Sequence, residues 1–382
     1  MVGHWPVTRV LCVFGTRPEA IKMAPVVAEL QSRPGCVCQV CVTAQHREML
    51  DDVLATFDIK PRWDLNVMKA GQRPQQVLAR LLTGLTEVVR ADRPDWMLVQ
   101  GDTTSTLAAS MAAFHEHVRL GHVEAGLRTW DKTHPFPEEL NRRLVSVVAD
   151  HHFAPTAGAV ENLLREGIPS QTVTLTGNTV VDALLSVSAQ PPAPGADPLL
   201  NGGPGKVISV TAHRRESFGA PMSGICRAVA RLASTYPEVR VVFPVHPNPR
   251  VGEAVAKELD GLPNVSLLPP LDYRTFAHLL KGSFLVLTDS GGIQEEAPTF
   301  GVPVLVLRDV TERPEAVKAG TARLVGTDPE VIFREACRLI DDPAEYRRMS
   351  AGGNPFGDGM ASRRIADIVL DRPASVTPFS VA

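Results

Sequence analysis

Short β-branched apolar runs alternate with amphipathic stretches along the whole chain, in two successive series. In the first half the runs TRVLCVFG, VCQVCVTA, DWMLVQG, VRLGHVEA, HHFAPT and TVTLTG predict strands. Helical periodicity fills the intervals, as at 18–32, 46–57, 74–91 and 104–116. A stretch rich in Pro, Gly and Ala, SAQPPAPGADPLLNGGPGK, then interrupts the pattern and predicts a linker. The second series follows with KVISVTA, VRVVFPV, NVSLLPP, SFLVLTD, VPVLVLR and ARLVG, again with helical stretches between them. Two such series predict an α/β protein of two doubly wound, Rossmann-like domains with parallel sheets. The expected boundaries are 1–183 for the first domain, 184–205 for the linker and 206–358 for the second. A C-terminal segment over about 359–382, helix-like to 371, is expected to pack back on the first domain.

Doubly wound sheets bind ligands at the carboxyl ends of their strands, so a chain with two of them is expected to work in the cleft between. The polar clusters fall at those ends. The first strand leads into Gly15-Thr-Arg-Pro-Glu-Ala-Ile-Lys22, where Pro18 suits the start of a helix and Arg17 and Lys22 can reach an anion. WMLVQ leads into Gly101-Asp-Thr-Thr-Ser105, in which Asp102 is either a helix N-cap or a functional carboxylate. RLGHVEAG carries Glu124 at its end, and PFPEELNRR places Glu138 and Glu139 in the first turn of a helix. Crowded carboxylates raise at least one pKa, which leaves one group as acid and another as base.

The second series opens with His213-Arg-Arg-Glu216 at a strand end, a cluster suited to an anionic ligand and to proton transfer. FPVHPNP puts His246 at the next strand end. TDSGG offers the backbone N–H groups of Ser290, Gly291 and Gly292 to a phosphate, without the Lys of a Walker motif.

Composition narrows the classes. The chain has 382 residues, enough for two to three domains, with 44% hydrophobic and 21% charged residues as in ordinary globular proteins. A net charge of -3 gives no electrostatic case for nucleic acid or a membrane surface. No apolar run reaches the roughly 18 residues of a membrane span, and VTRVLCVFG reads as a strand, not a leader. A cytoplasmic location is therefore expected. The six cysteines include the run CVCQVC, but no second pair completes a metal site, so they are expected to be small core residues. Metal-ligand spacing is missing among the histidines, and no Gly-x-Gly-x-x-Gly supports a nicotinamide cofactor. Neither metal nor cofactor is expected. Anion sites in both halves, with carboxylates and a histidine, describe an enzyme acting on a sugar nucleotide.

The segments VFGTRPEAIKMAPVV, TAQHREMLDDVL, GDTTSTLAA, GHVEAGLRT, PFPEELNRRL, TGNTVVDAL, TAHRRES, VHPNP, LTDSGGIQEEAP, LRDVTERPEAV and NPFGDG occur in this order over almost the whole chain. Together they resemble the bacterial non-hydrolysing UDP-N-acetylglucosamine 2-epimerases. The resemblance implies a GT-B fold, a homodimer and a UDP-binding second domain. It also implies reversible epimerisation of UDP-GlcNAc to UDP-ManNAc by elimination of UDP to 2-acetamidoglucal and re-addition. By motif position it implies Asp102, Glu124 and Glu138 as acid/base carboxylates and His213 as their partner near the diphosphate, with base and acid left unassigned. It further implies Arg17 and Lys22 as phosphate and sugar contacts, and Ser290, Gly291 and Gly292 as the diphosphate cradle. Glu296 would be the ribose ligand, Arg313 a further cation, and Phe276 a uracil-side contact.

Some members of the family bind a second, activating substrate molecule at positions that map to Gln45, Glu48, Arg214 and His246. Two departures lie near that site: GQRPQQ at 71–76 and Ser217 after HRRE, where Asn is frequent. A hydrolysing relative that releases UDP and ManNAc would share these motifs. From a different class, a non-catalytic sugar-nucleotide sensor would be expected to have lost Asp102, Glu124, Glu138 or His213, and all four are present.

Overall fold

The structure is a computed structural model and describes residues 7–43, 47–68, 71–193, 195–196 and 205–380, without the side chains of 47–49 and Arg215. The chain divides into two compact units, residues 1–186 with 357–380 and residues 187–356.

In the first unit the strands are β1 (Thr8–Phe14), β2 (Cys36–Val42), β3 (Trp63–Asp64), β4 (Trp96–Gln100), β5 (Arg119–Val123), β6 (His151–Ala154) and β7 (Val173–Leu175). They form one parallel sheet in the order β3-β2-β1-β4-β5-β6-β7. Helices between the strands cover the sheet, so β4 is buried along its whole length and its sequence runs apolar instead of alternating. Leu11, Val13, Met97 and Val99 pack there with Leu81, Leu85, Ala108 and Ala112. Only β3 has no counterpart among the predicted strands: two residues carry no readable periodicity.

In the second unit the strands are β8 (Val207–Thr211), β9 (Arg240–Pro244), β10 (Val265–Leu268), β11 (Leu285–Thr288), β12 (Val304–Val306) and β13 (Ala322–Leu324). Their order is β10-β9-β8-β11-β12-β13, again all parallel. Each sheet is wound outward in both directions from its first strand. The direction reverses between β1 and β4 in one, and between β8 and β11 in the other. These switch points are where a doubly wound sheet opens a crevice.

The C-terminal segment belongs to the first unit. Helix Ala361–Val369 has no capping side chain of its own, and Asp182 fills that place: its Oδ1 accepts Ser362 N at 2.8 Å and Ser362 Oγ at 2.6 Å. Asp367 on the same helix pairs with Arg33 at 3.0 Å, and Arg364 donates to the Thr176 carbonyl at 2.9 Å. Helix Thr179–Ser188 runs past residue 183, where the linker was expected to begin, because Leu184 and Val187 are buried apolar residues. The six cysteines are free thiols. Cys12, Cys41 and Cys226 are buried, and burial pushes the Cys41 thiol up to about 12. Among the described residues no helix is long and apolar enough to cross a membrane.

Candidate active site

The loop after β1 must come very close to its neighbours. A Cβ on Gly15 would lie 1.9 Å from Thr43 Oγ1, so only glycine fits. Thr16 then caps helix Arg17–Ser32 in a capping box with Glu19. Glu19 does more than cap. Buried to 2% exposure, it accepts Gly15 N at 3.0 Å, Thr16 N at 2.7 Å, Thr103 Oγ1 at 2.6 Å and Thr106 Oγ1 at 3.0 Å. One carboxylate thus ties the loops on both sides of the switch point. Arg17 stands at the first position of this helix, half-buried, and makes no ion pair among the described residues.

Glu124 follows β5 with φ 63°, a left-handed backbone that costs a non-glycine residue about 1–3 kcal/mol. Its oxygens receive the Lys22 ammonium, the Gln100 amide and, at 3.1 Å, the Asn178 amide. Three segments of the chain converge on this one carboxylate, which supports the strained backbone.

Asp102 lies in the loop after β4. The capping of helix Thr104–His115 falls to Thr103, whose Oγ1 accepts Thr106 N at 3.2 Å. Asp102 is therefore not the N-cap, and its carboxylate stays available. Burial raises its pKa to about 6, with Glu124 and Glu138 adding to the rise and Arg142 opposing it. Arg142 bonds Asp102 Oδ2 at 2.6 Å, and Asn141 donates to its backbone carbonyl at 2.9 Å. Beneath the loop, His122 Nε2 bonds the Gly101 carbonyl at 2.7 Å. Complete burial depresses the His122 pKa to about 3, so the ring is a neutral donor.

The adjacent glutamates of helix Glu138–Val148 divide their tasks. Glu139 is fully buried and accepts the Thr129 and Trp130 amides at 3.0 and 3.1 Å, which fixes the preceding loop. Glu138 is half-buried and close enough to Asp102 to raise its pKa. Asp102, Glu124 and Glu138 therefore share one neighbourhood.

At the second switch point, Asp289 after β11 is wholly buried. Its Oδ2 accepts His213 N and Arg214 N, both at 2.9 Å, and Ser217 Oγ at 3.0 Å. The His213 ring stacks on that of His246, with centroids 5.5 Å apart and planes at 11°. Burial and the neighbouring His213 lower the His246 pKa. Ser290 precedes helix Gly291–Glu296 with its hydroxyl uninvolved in capping. A Cβ at Gly291 would lie 3.7 Å from Arg214 Nη2 and 3.9 Å from Arg313 Cζ, so two guanidinium groups flank this backbone. Arg313 also pairs with Glu295, which is buried, while Glu296 is 8% exposed. Phe276 is half-buried and packs against the cluster of Leu280, Val286 and Ile293.

Of the positions mapped to a second substrate site, Arg214 and His246 lie with His213. Gln45 and the side chain of Glu48 fall outside the described residues. The stretch 71–76 includes a helix start, with Arg73 N donating to Gln76 Oε1 at 3.0 Å. Ser217 is buried under His213, bonded to Asp289. Sequence reasoning passed over Glu19, Gln100, Arg142, Asn178 and Asp289. Two of these had a signal: Gln100 is polar in an otherwise apolar strand, and Asp289 stands at a strand end. Among the described residues no group of three or more His, Cys, Asp or Glu is placed to hold a metal ion.

Two doubly wound sheets, with carboxylates at one switch point and cations beside a Gly–Gly turn at the other, define an enzyme of nucleotide-linked substrates. The sequence profile of UDP-N-acetylglucosamine 2-epimerase matches residues 28–370. The UDP-N-acetylglucosamine 2-epimerase of Escherichia coli K12 is 50% identical over 380 residues, spanning 96% of this chain and 100% of that protein. That of Salmonella typhimurium LT2 is 51% identical over 365 residues, 94% of this chain and 97% of that one. The structure of UDP-GlcNAc 2-epimerase from Neisseria meningitidis bound to UDP-GlcNAc superposes with a TM-score of 0.86. It is 47% identical and covers 96% of this chain and 100% of its own. That from Methanocaldococcus jannaschii in complex with UDP-GlcNAc and UDP gives a TM-score of 0.77 at 30% identity, covering 95% and 99%. The chain belongs to the UDP-N-acetylglucosamine 2-epimerase family, a family of isomerases.

Proposed function

We propose that the protein interconverts UDP-GlcNAc and UDP-ManNAc at the second sugar carbon without releasing the free sugar. The hydrogen on that carbon is weakly acidic and has no adjacent carbonyl, so elimination is the accessible route. A carboxylate takes the proton from the second carbon, the bond from the first carbon to the phosphate oxygen breaks, and its electrons leave with UDP. The two carbons are then joined by a double bond in 2-acetamidoglucal. Return of a proton to the opposite face and of the phosphate oxygen to the first carbon completes the inversion.

The observation that carries this reading is the shared neighbourhood of Glu124 and Asp102. Lys22, Gln100 and Asn178 all donate to Glu124, which keeps it ionised and so open to a proton. Asp102, raised to about 6 by burial, exchanges its proton close to neutral pH and suits delivery from the other face. Glu138 completes the carboxylate set. His213, Arg17 and Arg313 offset charge on the departing diphosphate, which the N–H groups at Ser290, Gly291 and Gly292 receive. Glu296 takes the ribose diol, and Phe276 borders the uracil. Arg214 and His246 would serve a second, activating substrate molecule. Neither metal nor cofactor enters the proposal, and the setting is the cytoplasm.

A homodimer belongs to the same reading. Helix Glu138–Val148 exposes Leu140, Leu144 and Val147, at 43%, 43% and 80%, along one stripe. Reaction in deuterium oxide tests the chemistry. Deuterium at the second carbon of both sugar nucleotides is expected, and its absence, or free ManNAc with UDP as the only product, would overturn it.

A further inference from the structure

Asp289 leaves one oxygen unaccounted for. All three of its hydrogen bonds reach Oδ2. Oδ1 is buried without a hydrogen bond and stands 3.5 Å from His213 Nδ1. An unsatisfied buried carboxylate oxygen costs about 1–3 kcal/mol, so its persistence calls for a use. His213 Nε2 makes no hydrogen bond among the described residues, and the His213 side chain is 43% exposed.

We propose that Asp289 is the positioning residue for His213. A closure of less than about 1 Å turns the contact into an Nδ1–H···Oδ1 hydrogen bond. That bond holds one proton on Nδ1, so a second proton on Nε2 gives the imidazolium whose Nε2–H donates to the substrate's diphosphate. The three donors on Oδ2 hold the carboxylate against rotation. Two of them are the backbone N–H groups of His213 and Arg214, so Asp289 fixes both the ring and the chain that carries it. His246 covers one face of the ring. Nearby charges are Arg214, Arg308, Glu216 and Glu312, linked among themselves at 2.7–3.8 Å. The proposal deepens the functional reading above and rests on its placement of His213 at the diphosphate.

The test compares wild type, Asp289→Asn, Ser217→Ala, His213→Ala and the double variant Asp289→Asn/His213→Ala, with UDP-GlcNAc as substrate. The Asn amide keeps an acceptor for the three donors but presents N–H to Nδ1, which reverses the tautomer. For Asp289→Asn, kcat is expected to fall by roughly 10–10³-fold with KM changed less than about threefold, and the double variant to be no slower than His213→Ala. Nitrogen-15 NMR of the histidines should show the Nδ1–H form in wild type and the Nε2–H form in Asp289→Asn. The same tautomer in both proteins, or losses that multiply in the double variant, would overturn the proposal. If Asp289→Asn does not fold by circular dichroism, Ser217→Ala decides. A kcat within about twofold of wild type then overturns the positioning role, and a larger fall at unchanged KM supports it. The tautomer is read without turnover. A wild type that fails to epimerise UDP-GlcNAc therefore defeats the functional reading and leaves the NMR result to judge Asp289.

Discussion

Lys22, on the helix after β1, donates its ammonium to Oε1 of Glu124 at the end of β5, and both side chains are mostly buried, at 14% and 7% exposure. The pair joins two elements on either side of β4. It places a cation against a carboxylate whose backbone is already held in a left-handed conformation.

Glu124→Gln should fold like the wild type, since the amide oxygen can still accept from Lys22 and Asn178 and a flipped Gln100 amide can accept from the new NH2 group. Turnover of UDP-GlcNAc should fall by about 10²–10⁴-fold, the usual loss for a positioned acid or base. Stopped-time NMR of the sugar nucleotides and a circular-dichroism melt check both parts. Retained turnover would remove Glu124 from the mechanism.

The raised pKa of Asp102 fixes a sign for stability against pH. Its folded value is about 6 against an ordinary aspartate value of 3.8, so the folded state binds the proton more tightly. Any stability this group contributes is therefore present at low pH and is lost as pH rises from about 4 to 6. Asp102→Asn carries no such dependence. Denaturant titrations should find wild type losing about 2–3 kcal/mol relative to the variant between pH 4 and pH 7, at ~1.4 kcal/mol per tenfold. Parallel curves would refute the shift.

Removing Glu19 orphans four donors from both sides of the switch point. Glu19→Ala should cost about 2–4 kcal/mol, from the lost cap and the unsatisfied buried groups together. Urea unfolding measures it. A cost under about 1 kcal/mol would mean that these loops hold themselves in place.

Two glycines make opposite forecasts for the same substitution. Gly126 has φ +94°, and a Cβ there would lie 2.2 Å from the Ala159 carbonyl oxygen. Gly126→Ala should destabilise by more than about 2 kcal/mol. Gly252 sits inside helix Pro249–Leu259 with nothing within 4 Å of its Cβ position. Gly252→Ala should stabilise by about 0.5–1 kcal/mol. Differential scanning calorimetry of both variants separates the cases.

The strands were legible because a parallel sheet covered by helices demands apolar runs, and those runs differ sharply from the helices between them. The carboxylates were legible because a charged residue at the end of such a run is conspicuous, as with Glu124 after RLGHV. What supports them was not. Asn178 and Gln100 reach Glu124 from 54 and 24 residues away, and no local pattern encodes that meeting. Glu138 and Glu139 are chemically identical neighbours, and only helix orientation shows that Glu139 is committed to the Thr129 and Trp130 amides. Asp102 and Thr103 are both good N-caps by type, and the choice between them depends on one residue of register.

The first unit is made of two pieces of chain, with residues 187–356 intervening. Asp182 bonds Ser362 and Arg33 pairs with Asp367, both partners lying in helix Ala361–Val369. During synthesis the first sheet is therefore complete some 180 residues before the helix that closes it leaves the ribosome. The nascent first unit waits with its last apolar face open, and helix Ala361–Val369 acts as the latch on its earliest helix, Arg17–Ser32.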